Sequence, residues 1–67
     1  MEANEIWELI VKADDALKYA TADKSEARRQ QAADLLRRAL EEAEAISNEP
    51  LAEQARTRLS DLRAGSD

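Results

Sequence analysis

The side chains best suited to chemistry in this chain are its carboxylates: Asp14 beside Asp15, and Glu41, Glu42 and Glu44 within one short run. Two carboxyls serve as general acid and base when burial or a close partner drives their proton affinities apart. Adjacent acids on an amphipathic helix mostly face water, and water supplies neither condition. No His and no Cys occurs, which removes the imidazole base, the thiolate nucleophile and the imidazole and thiolate metal ligands. A di-iron bundle site asks for a Glu-x-x-His pair on two helices. A phosphate-cradling loop needs several glycines, and Gly65 is the only one. The expectation is a non-enzymatic chain with no catalytic residue, no metal site and no cofactor.

Cations come next. Arg28, Arg29, Arg37 and Arg38 share one helical stretch, and Arg56, Arg58 and Arg63 share another, so a basic patch forms if the two stretches meet. Acids sit close by, with Glu26 three residues before Arg29 and Asp34 three before Arg37, at spacings that pair along a helix surface. The net charge is −5, which opposes binding to phosphate backbones. Nucleic acid is not an expected partner.

The third candidate is apolar. IWELIV, residues 6 to 11, holds five apolar side chains and one acid. Leu9 and Val11 lie about 200° apart on a helix, so one narrow seam does not cover both. An apolar patch rimmed by charge marks an interaction site. Trp7, Leu9, Ile10 and Val11 are the expected contacts.

These residues must be positioned by helices. Ile6, Ile10, Ala13, Leu17 and Ala20 alternate spacings of four and three, as do Ala32, Leu36, Ala39, Ala43 and Ile46, and then Ala52, Ala55, Leu59 and Leu62. Each set is a stripe on one helix face. An unbroken helix would rotate the second stripe about 120° from the first between Ala20 and Ala32. A turn at Thr21 to Ser25 removes that conflict, and Asp23 with Glu26 has capping-box spacing. Ser47-Asn48-Glu49-Pro50 offers a left-handed stop at Asn48 and a proline suited to a first helical turn, while Gly65 ends the third helix. The prediction is an all-α antiparallel three-helix bundle, helices roughly 4–21, 24–47 and 50–64, forming one domain over residues 1–67. No signal peptide or membrane span is read from the sequence. A cytoplasmic location is expected.

Charge placement adds a partner. Residues 1–23 hold six acids against two lysines, and residues 24–47 balance five against five. In an antiparallel bundle the late acids of the second helix come near Glu2, Glu5 and Glu8, and near Glu49 and Glu53, as an acidic collar around the apolar start of the first. Glu5, Glu8 and Glu41 would then steer a protein partner that is basic and amphipathic. The alternative is a self-associating structural or assembly subunit whose homodimer buries the same helix, since thin cores in small chains often gain from oligomerisation.

The stretch AADLLRRALEEAEAI, residues 32–46, followed by NEPLAEQARTRLSDL from Asn48, resembles tetratricopeptide-type repeats: Ala32, Leu36 and Ala39 match the small, large, small pattern of the second repeat helix, and Pro50 opens the next. Pro50 comes later than the standard repeat places it, and no Gly or aromatic stands in the first-helix signature. LIVKA and AADLLRRAL are similar to the three-helix microtubule-interacting-and-transport domains. Either resemblance covers about residues 9–62 and implies a protein-binding module.

Overall fold

The computed structural model describes residues 1–18 and 25–64, with side chains through Arg63. Three helices follow one another: α1 Ala3–Lys18, α2 Ser25–Ala45 and α3 Glu49–Ala64. The chain is an all-α three-helix bundle, as the three stripes require. The turn expected from Thr21, the Asp23 half of a capping box, Ala20 and the stop at Gly65 lie outside the described residues.

Local chemistry accounts for the helix ends. At the start of α1 the Glu2 carbonyl accepts the amides of Glu5 and Ile6, both at 3.0 Å. The Glu5 carboxylate in return accepts the Glu2 N–H at 3.0 Å, which is the side-chain half of a capping box. At the other break, Ser47 rather than Asn48 takes the left-handed conformation, with φ 56°. The Asn48 amide donates to the Ala43 carbonyl at 2.8 Å and the Ser47 amide to Glu44 at 3.1 Å. This pair of bonds is a Schellman motif with Ser47 at its left-handed position. Asn48 instead caps α3: its Oδ1 accepts the Leu51 amide at 3.3 Å, and its carbonyl accepts the Ala52 amide. An N-cap needs an extended backbone, so one asparagine does not serve both ends. The left-handed position therefore passes to the residue before it.

The helices alternate in direction. The Met1 amino group at the start of α1 lies 3.5 Å from Glu42 near the end of α2. Arg29, early in α2, donates to the Leu62 carbonyl late in α3 at 2.9 Å. α2 is the centre of the fold, since α1 and α3 each lie along it and meet one another far less. The result is an elongated, flattened body of 37 × 20 × 13 Å.

Ten hydrophobic residues form the described core, and seven of them are alanines: Ala13, Ala16, Ala32, Ala39, Ala43, Ala52 and Ala55. Ile6, Ile10 and Leu36 are its large, fully buried side chains. Alanine is the best helix former and has no rotamer freedom to lose on burial, so a seam lined with it is cheap to order. It also contributes little transfer energy. A fully buried aliphatic side chain contributes about 1.5–3 kcal/mol, which makes those three the energetic centre of the interior. Leu9, Leu17, Leu35, Leu40, Leu51, Leu59 and Leu62 close it from the sides while partly exposed. Ile46 departs from its expected seam position: it falls in the turn after α2 and is 42% exposed.

Candidate functional site

The start of α1 divides its apolar residues between two faces. Ile6 and Ile10 turn inward and are sealed in the core. Ile10, expected among the contact residues, is therefore corrected to a core residue: at four after Ile6 and three before Ala13 it shares the buried stripe. Leu9 is partly buried against the core. Trp7 and Val11, four residues apart and hence neighbours on the helix surface, remain 45% and 39% exposed.

A cation from α3 organises this face. Arg58 lies with its guanidinium carbon 5.8 Å from the centroid of the Trp7 ring, within cation–π range. Its Nε donates to both Asp14 carboxylate oxygens, at 3.0 and 3.1 Å. Its Nη1 donates to the Gln54 side-chain oxygen at 2.6 Å and to the Gln54 carbonyl at 3.2 Å. Trp7, Val11 and Asp14 stand at i, i+4 and i+7, so they share one side of α1. Arg58 ties that side to α3 where the two helices have little other contact. The tie holds Trp7 in place without hiding it.

The acids behave less uniformly than the collar expectation held. Glu8 is exposed beside the patch. Glu5 is exposed too, but its carboxylate is occupied with the Glu2 amide. Glu41 does not join them: it sits midway between Ala39 and Ala43, both buried, and so points away from the core on the outer side of α2. Glu42 is the α2 acid that meets the start of α1, through the Met1 amino group. Arg56 stands 3.9 Å from Glu44 and 3.6 Å from Glu49, relieving the repulsion at that end.

The arginines do not form a single patch. Arg56 and Arg58 are engaged as described, and Arg28 lines a shallow cleft between α1 and α2 with Lys12 and Asp15. Arg29, Arg37 and Arg63 border a groove of 730 Å³ between the start of α2 and the end of α3, with Glu26 on its rim and Leu59 and Leu62 among its lining. Arg37 also pairs with Asp34 at 2.9 Å. No polar or charged side chain is buried among the described residues, and no group of acids there has the arrangement to hold a metal ion. No described helix is long and apolar enough to cross a membrane.

Sequence reasoning missed Arg58 and Asp14 as organisers of the site. The available signal was positional, since Arg58 stands next to the Leu59 of the third stripe, at the edge of a buried face, where a long cation reaches a neighbouring helix. No protein-family model, curated protein or solved structure matches the chain.

Proposed function

We propose that this chain is a non-enzymatic protein–protein interaction module that engages its partner through the outward face of α1. The observation that carries this reading is the exposure of Trp7 and Val11 side by side, with Trp7 held by Arg58. Tryptophan is enriched among the residues that dominate binding energy, and an anchor fixed before binding loses less entropy when the partner arrives. Leu9, about 200° round the helix from Val11, packs against the core on the other flank of the buried stripe and stands outside this contact. Glu8 supplies the negative rim, with Glu5 contributing charge from its capping position, so the partner that fits is basic and amphipathic. The resemblance to tetratricopeptide-type and microtubule-interacting-and-transport modules supports the same reading. The lack of cysteine is compatible with the cytoplasm as the place where it acts.

A homodimer burying the same face is the second reading, favoured by the small number of large side chains in the core.

The test is a titration of the protein with a helical peptide of alternating lysine and leucine faces, read by Trp7 fluorescence. Binding should move the emission to shorter wavelength, and Val11→Ser or Glu8→Lys should weaken it about tenfold or more, which corresponds to about 1.4 kcal/mol. Emission that stays constant through the titration, or a titration curve indifferent to both substitutions, refutes the proposal.

A further inference from the structure

Arg58 reaches the contact face from α3, and the N–H groups of its guanidinium are unequally used. The Nε hydrogen is shared by the two Asp14 oxygens, at 3.0 and 3.1 Å. Nη1 donates twice to Gln54, to its side-chain oxygen at 2.6 Å and to its carbonyl at 3.2 Å. Nη2, which carries two further hydrogens, donates to no acceptor among the described residues. No side-chain nitrogen or oxygen sealed from solvent lacks a partner there, so Nη2 is open to water in the free chain. The guanidinium carbon stands 5.8 Å from the centre of the Trp7 ring, and Nη2, one C–N bond beyond it, is no further than about 7 Å from that centre.

A partner helix is about 10–12 Å across with its side chains, so one that lies on Trp7 also covers this nitrogen. Covering it takes its water away. A donor left without an acceptor then costs its full desolvation, and the cost is larger for a charged group than for a neutral one. We infer that the partner carries one acidic side chain within its otherwise basic and apolar face, and that this carboxylate accepts from Arg58 Nη2 beside Trp7. The inference rests on the reading of α1 as a contact surface, and it adds the feature by which that surface tells one basic helix from another. A carboxylate is the acceptor that fits, because a charged acceptor makes a shorter and stronger bond to a guanidinium than a neutral oxygen does. The partner's cations go elsewhere. Glu8, about 100° round the helix from Trp7, stands exposed on the flank away from Ile6 and the core, and it receives them.

The experiment is a Trp7 fluorescence titration of the full chain with variants of the helical lysine and leucine peptide. Each lysine that borders the leucine face is replaced in turn by glutamate, by glutamine and by leucine. At one position the glutamate peptide should bind about tenfold more tightly than the leucine peptide, with glutamine between them. The chain has a net charge of −5, so a general charge effect runs the other way and favours leucine. Arg58→Met should erase the ranking at that position. Arg58→Lys, which keeps a cation but lacks the planar fork, should reduce it by about half or more on a logarithmic scale, and circular dichroism verifies that both variants keep their helices. The ranking separates donation from support, because a residue that only held Trp7 in place would weaken every peptide alike. Peptides that bind without any gain from glutamate over leucine at any position overturn the inference and leave the α1 contact surface standing. A glutamate gain that persists unchanged in Arg58→Met does the same. Trp7 emission that stays constant with the whole set overturns both.

Discussion

Replacing Arg58 with methionine keeps the apolar stem and removes the charge, so the loss reports the ties between α1 and α3. A charged hydrogen bond contributes about 1.5–3 kcal/mol when well sheltered. The Arg58 and Asp14 side chains are 24% and 46% exposed, and solvent screening reduces the pair to about 1 kcal/mol. The guanidinium over Trp7 at 5.8 Å adds about 0.5 kcal/mol at a partly wet site. Asp14 keeps access to water after the substitution, so no buried charge is stranded. The expected loss is about 1.5 kcal/mol, against the roughly 3–5 kcal/mol that a core in a chain of this size supplies. For a domain of this length each kcal/mol displaces the melting temperature by about 4–8 °C, so Arg58→Met should melt about 6–12 °C lower by far-UV circular dichroism. Trp7 emission should move to longer wavelength as the ring loses its cover. A double-mutant cycle with Asp14→Asn should give a coupling of about 1 kcal/mol, smaller in about 0.5 M salt. A melting shift under about 2 °C, or strict additivity in the cycle, refutes the claim that Arg58 joins the two helices.

Two further outcomes follow from the backbone and the core. Ser47→Gly relieves a side chain from the left-handed region, where a Cβ is disfavoured by about 1–2 kcal/mol; part of that gain is offset by the freer unfolded chain, so the urea midpoint should rise by the equivalent of about 0.5–1 kcal/mol, and a fall would contradict the Schellman assignment. Leu36→Ala empties the centre of the interior at a cost of about 3–5 kcal/mol, comparable to the whole stability, so its helical signal at room temperature should collapse, whereas a cooperative melt near that of the parent would show that Leu36 is not the central core residue.

How much of this was legible beforehand depends on the range of the interaction. The three stripes were readable because a helix repeats every 3.6 residues whatever its neighbours do, and Ile6, Ala13, Leu36 and Ala55 fell where the spacing put them. The position of the second turn was readable as well, from Asn48 and Pro50. The division of labour inside it was not, because the N-cap of α3 and the stop of α2 compete for the same asparagine. At the site, the angle between Leu9 and Val11 showed that some apolar surface would stay outside one seam. Ile10 was legible as core from its place in the first stripe between Ile6 and Ala13, whereas how far Trp7 and Val11 stay outside depends on where α3 lies against α1. Arg58 is forty-four residues from Asp14, and no local pattern links them. Among the late acids of α2, neighbours are turned by about 100° on the helix, so Glu42 meets the start of α1 while Glu41 faces outward.

The alanines along the seams bring one more consequence. Where methyl groups alone separate two backbones, the spacing of the helices is set by main-chain bulk, and the interior has a steric ceiling. Valine or leucine at Ala39 or Ala43, both sealed, would wedge the helices apart instead of enriching the core. Growth in oily surface is therefore deflected outward, to positions such as Trp7 and Val11, and a chain built this way gains grip on its neighbours more readily than it gains a larger heart.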